Sequence, residues 1–119
     1  QFGTPTSADF ISKVVFKFIA NIDSISGDNG KWLLNLVPNG SASWFEFAAY
    51  LLACAEASGI ELKCKSKDLI PVSTSQINQL ARRPSKVILA NDKIQKMINT
   101  EFSDWRVGAN KFIQQINRC

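Results

Sequence analysis

Two adjacent arginines followed directly by a proline, Arg82-Arg83-Pro84, are the residues of this chain best suited to hold an anion. A guanidinium is planar and permanently charged, and its N–H fork meets two oxygens of a phosphate or carboxylate at once. Pro84 has a locked φ, so the turn that presents the pair is stiff. So short a basic pair is also compatible with a solvated surface turn. It sits inside the stretch Ile70 to Ile94, IPVSTSQINQLARRPSKVILANDKI, after an extended run containing Pro71 and before a strand-like VIL and a helix start.

Other chemistry is excluded by what the chain lacks. There is no histidine among its 119 residues, which removes imidazole zinc sites and Ser-His or Cys-His dyads. Its three cysteines, Cys54, Cys64 and Cys119, show no C-x-x-C spacing. Cys54 and Cys64 fall on apolar positions and read as small reduced core residues, as expected in the cytoplasm. Tyr50, the single tyrosine, has no lysine four residues on, so it does not form a Tyr-x-x-x-Lys pair and reads as packing or interface. No catalytic, cofactor-binding or metal-binding residue is assigned within the chain.

The elements that must position the arginines follow from periodicity. At 45% hydrophobic and 20% charged, residues 1–119 suit one globular domain with one core. No run of about 18 apolar residues is present, so no membrane partner is expected. The net charge of +4 comes from lysines scattered along the chain, which disfavours a nucleic-acid stripe. A first helix is expected from a Thr6 cap paired with Asp9, with Phe10, Ile11, Val14, Val15, Phe18, Ile19 and Ile22 inward and Phe16 off the stripe. WLLNLV, from Trp32 to Val37, reads as a buried strand ended by Pro38-Asn39-Gly40. Ser43 with Glu46 starts a second helix carrying Trp44, Phe47, Leu51 and Ala55, and Gly59 ends it. Ile60 to Cys64 alternates as a half-buried strand, and Leu69 to Val72 and Val87 to Leu89 read as short extended pieces. Asn91 caps a short helix with Ile94, Met97 and Ile98, and Ser103-Asp104 opens a last one with Trp105, Ala109, Phe112, Ile113 and Ile116 inward. The sum is an α/β fold, a mixed α+β lobe of about four helices on a few short strands.

Five blocks, in order, resemble the dTDP-4-dehydrorhamnose reductase family of extended short-chain dehydrogenases. QFGTPTSA is similar to D-Q-x-G-x-P-T without its Asp, and LNLVPNGSASWFEFA to Y-H/N-L-V-x-x-G-x-T-S-W-x-x-F-A. IPVSTSQINQLARRP resembles I-P-I-S-T-x-x-Y-P-T-P-A-R-R-P, while LANDKI and FSDWRVGANKF resemble the closing L-D-x-S-K-I/L and L-P-D-W-x-x-A-L. The resemblance implies the C-terminal substrate-binding lobe of a longer reductase whose N-terminal Rossmann part, with its Gly-rich loop and Tyr-x-x-x-Lys pair, is missing here. It implies NADPH as cofactor of the parent but not of this fragment, which should be inactive, and a dTDP-sugar as substrate. Metal dependence stays open. The Arg before Pro, here Arg83, is then the diphosphate ligand, with Arg82 in support and Gln1 near the substrate-side turn. The family's Y-P-T-P stands here as Ile77-Asn78-Gln79-Leu80, and its Asp and Asn as Ala90 and Lys86. These departures leave room for a non-catalytic regulatory or scaffold relative. WLLNLV and Phe16 are the expected contact surface for the missing part or for a homodimer.

Overall fold

The fold was read from a computed structural model, which describes residues 1–25, 32–77 and 83–117. Residues 26–31, 78–82 (Arg82 among them) and 118–119 lie outside the described residues, so most of the expected Ser24 to Lys31 loop and the Ile77 to Leu80 departure are not described. Within them the order is β1 (Phe2–Gly3), α1 (Ala8–Ala20), β2 (Ala42–Ser43), α2 (Trp44–Ala57), α3 (Asp92–Met97) and α4 (Trp105–Ile116). Short 3₁₀ turns occupy Ile22–Ser24, Ser66–Asp68 and Thr74–Gln76. The fold is thus mixed α and β, with four helices and one two-stranded antiparallel sheet among the described residues.

α1 begins one residue later than its sequence signals. Ser7, not Thr6, accepts the Phe10 amide, while the Thr6 hydroxyl turns back to the Thr4 carbonyl. Asp9 forms no capping box; it pairs with Lys13 one turn on at 2.8 Å. The apolar stripe of α1 is also wider than the core it meets. Val14 is buried and Phe10 and Phe18 are half-buried, whereas Ile11, Val15, Ile19 and Ile22 stay exposed and Phe16 is 75% exposed.

α2 follows its signals closely. Ser43 accepts the Glu46 amide and the Glu46 carboxylate accepts the Ser43 amide, a reciprocal cap. Gly59 takes φ +75 just past the helix, the left-handed conformation a side chain would resist.

The strand expectations fare differently. WLLNLV is extended but belongs to no sheet. Leu34 and Leu36 turn inward and Trp32 meets Phe18 edge-on at 5.8 Å, but Leu33 is 89% exposed. The segment is therefore covered on one face. Ile60 to Cys64 is not a strand, and Cys64 is exposed rather than core; Leu69 to Val72 and Val87 to Leu89 join no named strand, although the Val87 amide bonds to Phe2 O beside the Phe2–Lys86 bridge. One-sided burial without pairing survives at Leu34 and Leu36 and at Ile60 and Leu62, whereas Ile70, Val72 and Val87 to Leu89 are exposed.

Two small cores result. One joins α1, the 32–36 segment and α3 through Val14, Ile94, Ile98 and Phe102. The other joins α2 and α4 through Ala42, Trp105 and Ala109, with Phe47, Tyr50 and Leu51 against them. Between them runs a chain of amides. Asn91 Nδ2 donates to Val37 O and to Asn39 Oδ1, both at 2.9 Å, so it ties α3 to the 37–39 turn instead of capping its own helix. Gln95 Nε2 donates to Asn91 Oδ1 at 2.7 Å and its Oε1 accepts the Phe102 amide at 2.6 Å. The Asn39 amide donates to Phe102 O, while its backbone accepts Trp105 N and donates to Ser103 O, each at 3.0 Å.

The molecule is flat, with extents of 51 × 39 × 20 Å and a radius of gyration of 17.4 Å. A compact domain of this length has roughly 13–14 Å. Much apolar surface is left at the rim.

Two outcomes are expected. Asn39→Ala should cost about 1–2 kcal/mol by chemical denaturation, since it leaves the Phe102 carbonyl without its side-chain donor and removes one acceptor of Asn91. Ser43→Ala should cost about 1 kcal/mol, or roughly 3–6 °C in Tm. Hydrogen bonds from the Ser43 backbone and side chain hold the Glu46 carboxyl below its ordinary value of 4.5. Its contribution is therefore complete above that pH and is lost as pH falls through the lower folded-state value.

Candidate functional site

The N-terminal segment is the hinge of the site. Phe2 pairs with Ser43 and Gly3 with Ala42 in the antiparallel sheet. The other edge of Phe2 is used as well: its amide donates to Ser85 O and its carbonyl accepts the Val87 amide, both at 2.8 Å, forming a parallel bridge to Lys86. One residue thus holds the start of α2 on one side and the Arg83-Pro84 turn on the other. Thr4 Oγ1 adds a bond to Gly40 O at 3.2 Å. Gly40 has φ +84, and a side chain there would drive into the Asp104 carboxylate and the edge of Trp105. The close approach of β2 to α4 therefore needs a glycine at this position.

These segments and α4 enclose an open cavity of about 750 Å³. Ligand pockets are typically roughly 300–1,000 Å³. Gln1 to Ala8 form one wall, Ala42 to Trp44 with Phe47 and Leu51 a second, Arg83, Pro84 and Val87 a third, and Trp105, Gly108, Ala109 and Phe112 the last. Gly108 lets α4 come against the α1 cap, since a Cβ there would stand 2.9 Å from Ser7 Oγ.

The electrostatics are one-sided. Among the described residues, Arg83 is the only charged side chain on these walls. It is exposed, and among the described residues it makes no hydrogen bond and no ion pair. Two further lining residues carry buried N–H groups with no acceptor, Gln1 Nε2 and Trp105 Nε1. Among its described residues the cavity offers the Arg83 guanidinium, unspent donors and no carboxylate, which suits an anionic, acceptor-rich ligand with apolar parts.

Both described candidates, Arg83 and Gln1, thus line the same cavity; Arg82 lies outside the described residues. Sequence reasoning missed Trp44 as a site residue by placing it on the inward stripe of α2. It lines the cavity and is 68% exposed. Its position at the first helical residue was the available signal, because a side chain there projects beyond the helix it starts. Trp105 was expected as core, and it is 3% exposed, but its unpaired N–H was not foreseeable.

Tyr50 stands apart from this chemistry. Its hydroxyl donates to Asn110 Oδ1 at 3.0 Å, beside Cys54 Sγ on the same acceptor at 3.3 Å. Its ring meets Trp105 at 5.1 Å, and Arg106 lies over both rings at 5.6 and 4.6 Å. Burial pushes the hydroxyl above its ordinary 10.0. A tyrosine that acts as an acid near neutrality needs the opposite shift. Among the described residues, no group of three His, Cys, Asp or Glu side chains could hold a metal ion, and no helix is long and apolar enough to cross a membrane.

The described chain is a mixed α/β lobe with four helices, a two-stranded sheet and one open cavity lined by Arg83. The chain belongs to the RmlD substrate binding domain family, whose sequence model it matches over residues 1–118. Similar proteins from Shigella flexneri and Escherichia coli strain K12, both named dTDP-4-dehydrorhamnose reductase, are 28% and 27% identical over 119 residues, covering 98% of this chain and 38% of their own length. One of that name from Sinorhizobium fredii is 28% identical over 114 residues, covering 95% of this chain and 37% of its own length. The chain spans under two fifths of the length of these relatives.

Because Tyr50 is the single tyrosine, ultraviolet titration reads it directly. Its ionisation should appear only above pH 10, and Cys54→Ala should bring it down.

Proposed function

We propose that this chain is the C-terminal substrate-binding lobe of an NADPH-dependent dTDP-4-dehydrorhamnose reductase, an extended short-chain dehydrogenase that reduces dTDP-4-keto-6-deoxy-L-mannose to dTDP-L-rhamnose in the cytoplasm. The observation that carries this reading is Arg83, an unpaired guanidinium on a cavity with no opposing carboxylate, inside the A-R-R-P block. Arg83 binds the diphosphate through its fork, and its charge needs no proton bookkeeping. Arg82 supports the same turn. Gln1 lines the same cavity with an unspent N–H for the ligand.

NADPH supplies the hydride when bound, but the residues of this chain do not fit it. The described glycines Gly3, Gly40, Gly59 and Gly108 form no G-x-x-G-x-x-G turn between a strand and a helix, and Tyr50 has no lysine partner. No step of the reduction is assigned to these residues. An upstream Rossmann portion carries the cofactor and the proton donor, so the chain alone binds substrate without turning it over. The exposed Phe16 and Leu33 suit a contact surface for that portion or for a second copy.

Calorimetric titration of the full-length protein with dTDP tests the assignment. Arg83→Ala should weaken binding by about 2 kcal/mol, or roughly thirtyfold, and Arg83→Lys should recover only part of it. Unchanged affinity in Arg83→Ala would remove Arg83 as the diphosphate ligand. The replaced Y-P-T-P block and Ala90 favour a regulatory or scaffold relative as the second reading. Oxidation of NADPH that depends on the dTDP-4-keto sugar supports the reductase; intact dTDP binding without it supports the relative.

A further inference from the structure

The walls of the cavity divide into a polar turn around Arg83 and an aromatic wall across α2 and α4. Trp44 is the outlier of that wall. Its 68% exposure leaves most of a large indole in solvent, although indoles are among the most costly side chains to leave uncovered. Its one ring contact among the described residues is T-shaped with Phe47 at 6.4 Å and 68°, and no parallel ring stacks on it. Its backbone is nevertheless fixed. The preceding residue is Ser43, held by the reciprocal cap with Glu46 and by the strand pair with Phe2, so Trp44 projects from a rigid helix start. Phe2 is the same residue whose other edge anchors the segment after Arg83. A preorganised aromatic face and a preorganised guanidinium thus hang from one backbone clamp on one cavity.

We propose that Trp44 is the stacking platform of this cavity, taking the flat base of a nucleoside diphosphate whose phosphates sit on Arg83. The proposal rests on the substrate-binding reading above and adds the residue that recognises the other end of the ligand. Charge complementarity selects the occupant: a purely apolar partner would leave the Arg83 guanidinium unmatched, and inorganic phosphate alone would leave the indole bare. Base–aromatic stacking changes affinity by roughly 5- to 150-fold on alanine substitution. It tolerates replacement by another aromatic ring.

The test uses the full-length protein with two probes, thymidine 5′-diphosphate and inorganic pyrophosphate, each titrated against Trp44→Ala, Trp44→Phe and Arg83→Ala. Trp44→Ala should weaken the nucleotide at least tenfold and leave pyrophosphate within twofold. Trp44→Phe should retain most of the nucleotide affinity and lose the tryptophan quench that accompanies binding. Arg83→Ala should weaken both probes. Nucleotide affinity within twofold of the unsubstituted protein in Trp44→Ala overturns the platform, while a loss in Arg83→Ala alone keeps the diphosphate reading intact. If neither variant changes either affinity, both the platform and the reading beneath it fail. Equal loss of both probes in Trp44→Ala and Trp44→Phe also overturns the proposal, because it marks a structural role at the seam rather than stacking. Trp44 is exposed, so these variants should leave the fold intact, and unchanged thermal midpoints check that directly.

Discussion

Asn39 is the constraint on which the described structure depends. Its backbone bonds to Ser103 and Trp105, and its side chain bridges Phe102 and Asn91. Each of the two apolar clusters is small, and neither spans the molecule. What keeps them in register is a saturated run of amides, from Val37 through Asn91 and Gln95 to Phe102, rather than a shared layer of side chains. Such a run is unforgiving, because every member supplies the partner of the next and a half-satisfied network costs more than an apolar one.

The position of Asn39 is passed on to the site. Gly40 turns the chain with a positive φ that lets Trp105 and Asp104 close against it. The two residues of β2 then take up Phe2, and Phe2 takes up the segment behind Arg83. A sheet only two residues long on each side is a weak unit by itself. Here it works because Phe2 uses both of its backbone edges, so three chain segments far apart in sequence are held at one point.

The flat shape follows from the same economy. α1 spends half of its apolar face on the core and leaves the other half at the surface, and the 32–37 segment does likewise with Leu33. Helical amphipathicity normally reports one buried stripe. A stripe this much wider than its core is the pattern of a surface built for contact.

Local chemistry made several features legible from the residues alone. The Ser43–Glu46 cap, the left-handed Gly59, the inward Trp105, Ala109 and Ile113, and the exposed Phe16 each depend on neighbours within a turn or two. Arg83-Pro84 was legible as a candidate anion-holding pair, and the structure puts Arg83 on the cavity wall; five ordered blocks pointed to the family. The misreadings share one cause. Ser7 displaced Thr6 as cap, Asn91 reached to Val37 instead of its own helix, and WLLNLV remained unpaired. Each outcome was decided by a partner many residues away, and composition and periodicity carry no information about distant partners. The same holds for the cavity: the sequence supplied a free guanidinium and an indole, but only the clamp on both edges of Phe2 brought them to one site.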